Sequence, residues 1–297
     1  MRYYNLGSYF REKYGKRLQK ICIDGHFGCP NRDGTCGVGG CIYCGERGAG
    51  EHIDATKSIA EQVEASLLKF APDDLCIAYF QNFTNTYADV KTLKERYDAA
   101  LVSDRIRVLA IATRPDCIDR ERAELIASYM DERDVWVELG LQTASDEVAR
   151  VINRGYKTEV FLDACKILEE YGIPYVVHII AGLPCSDREE TKRTIDLVAS
   201  LHPFGVKLHS IYVMKNTALE AMYKNGDYTP PSLDEFVECA VYLVGRMPKD
   251  TVIHRLCGNC QPELLVAPDW NANKNEIHNR INRALEERDI IQGQLRG

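Results

Sequence analysis

The sequence predicts an α/β protein: a partial (β/α)6 barrel of the TIM type, which closes with eight strands in its complete form, followed by an α-rich C-terminal extension. Three observations predict it. From about residue 19 onward, short β-rich runs alternate with longer helical patterns. The segments between runs are long enough to hold a helix, so the strands are expected to pair in parallel through right-handed crossovers. No Ser/Gly/Pro-rich linker breaks the alternation before residue 213, and 297 residues fit a single barrel, whose length runs from about 200 to beyond 400.

In chain order the strand candidates are 20–24 (KICID), 75–81 (LCIAYFQ), 106–113 (IRVLAIAT), 135–142 (VWVELGLQ), 174–182 (PYVVHIIAG) and 205–213 (GVKLHSIYV). The helices between them have readable ends. One begins at Thr158, carries apolar residues at Phe161, Ala164, Cys165 and Leu168, and stops at Gly172 with Pro174 beyond. Another begins at Asp187 with Glu190 three residues later, the spacing of a capping box. Past residue 213 the pattern loosens. A helix starts near Ser232, a short apolar run TVIH occupies 251–254, and a polar helix covers about 274–289. The expected organisation is a basic and aromatic segment at 1–18, the barrel at 19–213, and an extension at 214–297 that packs on it.

Composition narrows the function classes. Hydrophobic residues make up 45% and charged residues 27% of the chain, which excludes a disordered or fibrous protein. A net charge of −7 excludes a protein that grips nucleic acid by bulk charge, though not one with a local basic face. No apolar run approaches the ~18 residues of a membrane span, and the opening residues lack the apolar core of a signal peptide. A cytoplasmic location is therefore expected.

Twelve cysteines stand out. With no export signal, a disulfide framework is not expected. Cys22, Cys76, Cys117, Cys165 and Cys239 sit inside apolar segments and read as small buried hydrophobes. Cys29, Cys36, Cys41 and Cys44 instead crowd into a loop that follows the first strand directly, and such crowding points to metal. Two readings compete. Four thiolates fit a tetrahedral zinc ion, as in an RNA-binding protein without catalysis. Three thiolates fit an iron–sulfur cluster with one iron left open. The loop is rich in glycine (Gly34, Gly37, Gly39, Gly40, Gly45, Gly48, Gly50), so its backbone can wrap a bulky group. It also leaves the carboxyl end of the first strand, where barrels carry their chemistry. Cys257 and Cys260 form a second C-x-x-C, but two ligands do not make a site.

Alternation in 135–142 sets Val135, Val137, Leu139 and Leu141 on one face and Trp136, Glu138, Gly140 and Gln142 on the other. With the apolar set against helices, Glu138 and Gln142 point into the barrel. An inward carboxylate beside an inward amide is costly unless a polar ligand binds there or an internal network satisfies both. Lys207 and His209 share a face of the last strand by the same parity.

The stretch Cys29-Pro30-Asn31 through Cys41-Ile42-Tyr43-Cys44 resembles the cluster motif of radical S-adenosylmethionine (SAM) enzymes. It is most similar to the branch holding the Elongator catalytic subunit and the small YhcC-type proteins. The sequence departs from the commonest spacing of that superfamily, because eleven residues separate Cys29 from Cys41, and the resemblance gives Cys36 no ligand role. It implies that Cys29, Cys41 and Cys44 ligate a [4Fe-4S] cluster whose fourth iron chelates SAM. One electron then cleaves the sulfonium to methionine and a 5′-deoxyadenosyl radical, which takes hydrogen from substrate. It further implies cofactor contacts at Glu138 and Gln142, at Arg154 toward the SAM carboxylate, and at His178. Lys207 lies on a strand beside the adenine, and His209 is a candidate substrate neighbour. The Gly-Gly-Glu that many such enzymes carry after the second strand is missing, with Gln81 and Thr84 to Thr86 in its place.

Proteins of this branch resemble wobble-uridine enzymes. The resemblance therefore implies tRNA as partner, remodelling of a carboxymethylaminomethyl side chain toward aminomethyl, and an electron donor such as flavodoxin or ferredoxin. Residues 11–20 carry five Lys/Arg against one Glu, with tyrosines at 3, 4, 9 and 14. That mix suits phosphate and base contacts, and a solvated structural helix explains it equally.

Overall fold

The structure, a computed structural model, describes residues 2–48, 50, 53–258 and 260–296. A first helix, α1 (Leu6–Tyr14), precedes β1 (Gln19–Ile23). Then follow α2 (Ile59–Leu67), β2 (Cys76–Phe80), α3 (Val90–Ala100), β3 (Ile106–Thr113), α4 (Arg120–Ala127), β4 (Asp134–Gln142), α5 (Asp146–Val151), α6 (Thr158–Glu170), β5 (Tyr175–Ala181), α7 (Arg188–Ser200) and β6 (Gly205–Ser210). The last third holds β7 (Val213–Met214), α8 (Ala218–Lys224), α9 (Leu233–Arg246), β8 (Val252–Arg255), β9 (Leu265–Ala267) and α10 (Lys274–Glu287).

Seven strands pair in parallel in the order β1-β2-β3-β4-β5-β6-β8. Among the described residues β8 does not pair with β1, so the barrel is open. Six of these strands are the expected ones. The seventh, β8, falls in the run expected only as a short apolar segment, and four residues are too few for alternation to announce a strand.

The parity of β4 organises both faces of the sheet. Val135, Val137, Leu139 and Leu141 join the core between sheet and helices, where they share a cluster with Phe161, Ala164, Cys165 and Leu168 of α6. Trp136 faces inward and packs with Ile77, Tyr79, Val108, Ala110, Val176 and Phe10 in a second core inside the barrel. Phe10 reaches that core because α1 plugs the lower end, with ring centroids 6.3 Å from Trp136. Asn5 starts the plug by accepting from the Ser8 amide, and Gly15, left-handed at φ 73, ends it.

Within this plug several basic and aromatic residues of 9–20 take protein partners, as the structural-helix reading expects, while Arg11 and Arg17 stay exposed. Tyr14 and Lys13 both bond Asp134, Lys16 pairs with Asp73, and Lys20 lies 4.9 Å from the Tyr79 ring centre, inside the barrel. The aromatic residues follow suit: Tyr9 sits edge-on to Phe204 at 5.3 Å.

Two local details also differ from expectation. Asp187 caps α7 by accepting from the Glu190 amide, but the Glu190 carboxylate does not return the bond. It takes the hydroxyls of Thr143, Thr194 and Ser186 instead. The last expected strand stops at Ser210, whose hydroxyl donates to Asn271 Oδ1 and accepts from the Gly258 amide. Asn271 Nδ2 donates to the Ile211 carbonyl at 2.8 Å. These bonds turn the chain off the sheet, and Val213–Met214 pairs antiparallel with β9. Among the described residues no helix is long and apolar enough to cross a membrane.

Candidate active site

The loop after β1 folds over the carboxyl ends of the strands. It enters through Gly25, where a β-carbon would lie 2.6 Å from the Phe27 ring and 2.9 Å from Phe80. Side chains then hold its backbone. Arg32 donates to the carbonyls of Gly45 and Glu46 at 2.5 and 2.9 Å. Asn31 donates to the Asn153 carbonyl at 2.6 Å, and Asn153 donates back to the Gly40 carbonyl at 2.7 Å. Gly40 itself is left-handed, and a β-carbon there would come 2.9 Å from Arg32 Nε.

A cavity of about 290 Å³ opens beneath this loop. Cys29, Cys41 and Cys44 all line it, together with the expected residues Gln81, Thr84, Glu138, Gln142, His178 and His209. Burial pushes the Cys41 thiol up and the Cys44 thiol up to about 12, and the neighbouring cysteines add to both. Arg114 eases the ionisation of Cys41 and Arg32 that of Cys44, without outweighing burial, and three sulfurs on one wall are the donor set that an iron–sulfur cluster takes.

The four-cysteine zinc site is corrected. Cys36 is absent from the cavity wall; its sulfur instead faces Arg114 at 3.5 Å and Asp116 at 3.8 Å. A zinc ion needs its sulfurs about 2.3 Å away, and among the described residues no three Cys, His, Asp or Glu side chains converge closely enough for one ion. Of the second C-x-x-C, Cys257 faces His278 Nε2 at 3.5 Å, whereas Cys260 lines the cavity.

The cavity floor is a network centred on Glu138. Its Oε2 accepts from Tyr79 and His178, each at 2.8 Å, and from the Lys207 ammonium. Its Oε1 accepts from Trp136 Nε1 at 3.2 Å. Burial alone would raise the Glu138 carboxyl, but Lys207 and His178 hold it well below the usual carboxylate range. Burial, with Lys20 and Arg255 adding, pushes the Lys207 ammonium below its ordinary range although Glu138 pulls it up. Burial likewise lowers His178. Glu138 is thus largely satisfied by protein, as the internal-network alternative has it, and it still lines the cavity. Lys207 stands behind it, off the cavity wall. Gln142 does line the cavity, at a left-handed φ of 63 where β4 loses register with β5, and its amide turns to Gly140, Leu141 and the Tyr156 hydroxyl.

Arg154 is the plainest correction. Its side chain is 0% exposed and does not reach the cavity. One nitrogen donates to the carbonyls of Leu141 and Thr143 at 2.7 and 2.6 Å, and Nε donates to the Tyr156 carbonyl at 3.0 Å. Replacement by methionine removes a donor from the carbonyls of Leu141, Thr143 and Tyr156, of which Leu141 keeps the Thr143 amide. We expect Arg154→Met to destabilise the fold by about 3–5 kcal/mol, read as a lower urea midpoint; a midpoint equal to wild type contradicts this role.

Sequence reasoning missed three arginines on the wall, of which Arg32 braces the covering loop. Arg114 follows β3 directly, pairs with Asp116 at 2.7 Å, and lies 4.8 Å from the Tyr156 ring centre. A search of every strand's carboxyl end would have found it. Arg255 ends β8, the strand not expected.

The profile of the Radical SAM superfamily matches residues 27–198, and that of the Radical SAM C-terminal domain matches residues 203–287. The chain is 35% identical to the uncharacterized protein YtqA of Bacillus subtilis, covering 99% of this chain and 92% of that one. It is 32% identical to protein YhcC of Escherichia coli, covering 96% and 92%. A tRNA uridine(34) acetyltransferase of Methanocaldococcus jannaschii is 31% identical over 49% of this chain and 27% of its own. Among solved structures, the Elp3 of Methanocaldococcus infernus has the same fold, with a TM-score of 0.71 at 19% identity, covering 93% of this chain and 64% of that chain.

Proposed function

The chain belongs to the radical SAM superfamily, and on that premise we propose that it remodels the wobble uridine of tRNA, taking a carboxymethylaminomethyl side chain toward aminomethyl. It is a radical SAM enzyme that uses a [4Fe-4S] cluster and SAM. When bound, that pair supplies a 5′-deoxyadenosyl radical able to take hydrogen from an unactivated carbon.

The chain's own residues divide the remaining tasks. Cys29, Cys41 and Cys44 hold the cluster from the covering loop, and the wall beneath them orients SAM and substrate. Thr84 Oγ1 is buried on that wall without a partner, which favours a polar ligand there; Gln81, Gln142 and Arg114 are the other candidates for SAM contacts. Strands and loop together exclude water from the enclosed space.

One observation carries the catalytic reading: three thiols and a charged floor face the same cavity. The uridine reading is supported by the likeness to a relative that acts on tRNA uridine 34 over about half the chain. A flavodoxin or ferredoxin is the proposed electron donor. The test compares tRNA nucleosides by mass from cells with and without the protein. Loss of the protein should leave carboxymethylaminomethyl uridine in place of aminomethyl-type uridine, and identical profiles would overturn the substrate.

A further inference from the structure

The floor of the cavity carries more positive charge than its one carboxylate balances. Lys20 of β1, Lys207 of β6 and Arg255 of β8 all act on the same charge network around Glu138. Lys207 pairs with Glu138, whereas Lys20 rests on the Tyr79 ring. Strand register sets Arg255 beside Lys207. Among the described residues the Arg255 guanidinium makes no hydrogen bond and no ion pair, yet it lines the cavity.

His209 shares that wall. Its Nε2 is buried and has no partner, and its ring lies 5.1 Å from that of His178. A buried donor without a partner is costly, and with an unpaired, half-buried guanidinium on the same wall it marks the place of a ligand that brings negative charge. We propose that Arg255 and His209 form a carboxylate subsite on the cavity floor, which holds the carboxylate of the substrate. The guanidinium meets a carboxylate as a planar fork, and a neutral imidazole adds one N–H from Nε2.

The identity of that carboxylate rests on the uridine reading above; the subsite itself does not. A carboxymethylaminomethyl side chain ends in a carboxylate, so anchoring it fixes the adjacent methylene within the cavity. An aminomethyl product has no carboxylate and loses the anchor, which favours its release.

SAM also carries a carboxylate, so the test separates the two sources. Holoenzyme is treated with phenylglyoxal, and modification of Arg255 is followed by peptide mass. Propanoate should slow this modification about tenfold, and propanamide should not. Protection by propanoate should be largely lost in His209→Gln. SAM alone should leave Arg255 reactive. Equal reactivity with propanoate and propanamide overturns the subsite, and protection by SAM alone assigns the carboxylate to the cofactor and overturns its assignment to substrate.

A second arm uses the free nucleosides. 5-Carboxymethylaminomethyluridine should protect Arg255 and 5-aminomethyluridine should not. If propanoate protects and neither nucleoside does, the subsite stands and the uridine reading falls. Because Arg255 makes no bond within the protein, Arg255→Gln should keep the wild-type unfolding midpoint. Its affinity for the carboxylated nucleoside should fall about tenfold, with SAM affinity within about twofold; loss of SAM affinity alone contradicts the proposal.

Discussion

Replacing Cys41 by alanine is expected to leave the purified chain without iron, where wild type carries about four irons and four sulfides. Cys41 is one of three thiols on the cavity wall, and two thiolates cannot hold the cluster against solvent and oxygen. The control is Cys36→Ala. That sulfur is exposed and turned toward Arg114 and Asp116, so its removal should leave iron content unchanged. Both variants should unfold near the wild-type midpoint when stripped of metal, which separates loss of a ligand from loss of fold. Equal loss of iron in both contradicts the assignment of three ligands.

The second large effect is expected at Glu138. This residue is 2% exposed and accepts from Tyr79, His178, Trp136 and Lys207. Glu138→Gln keeps its size but leaves the Lys207 ammonium, and the charges of Lys20 and Arg255 beside it, without a carboxylate. Breaking a buried pair from one side costs about 3–5 kcal/mol, visible as a lower urea midpoint with unchanged slope.

The pH dependence has a definite sign. The folded carboxyl is held well below its ordinary value, so its contribution is fully present above the unfolded pKa of about 4.3. It is lost only as pH falls through the depressed folded value. The gap between wild type and Glu138→Gln should therefore not close between about pH 7 and pH 5, where Lys207, lowered to about 7, can only widen it, and should close only in stronger acid. A gap that closes near neutrality, or no gap at all, contradicts the role of the carboxylate.

Much of this arrangement was legible in the sequence because strand parity carries it. Six runs of β-branched residues gave the sheet, and alternation in β4 correctly turned Trp136 and Glu138 inward. The cysteine loop was legible because its position after β1 places it at the mouth of any such barrel. What parity could not give is who satisfies whom. For Glu138 a polar ligand and an internal network were both open, and Tyr79, His178 and Lys207, distant in sequence, converge on it. Arg154 follows a short helix end, where a surface charge and a buried brace look alike in sequence; only the turn at Gln142 brings three carbonyls to it. The basic, tyrosine-rich start left two readings open for a similar reason, and Tyr9, Phe10 and Tyr14 turn out to pack at the lower end of the barrel. Arg255 escaped notice because β8 pairs at only three positions with β6, too short a stretch for any periodicity.

The central claim is that three sulfurs at the mouth of the barrel hold a cluster with one iron left for SAM. The most direct test is to purify the chain without oxygen, measure iron, zinc and acid-labile sulfide, and record the electron paramagnetic resonance of the reduced protein before and after adding SAM. About four irons and four sulfides, with a signal that shifts when SAM is added, are the predicted result. A colourless protein with one zinc ion, no sulfide and no response to SAM would contradict it.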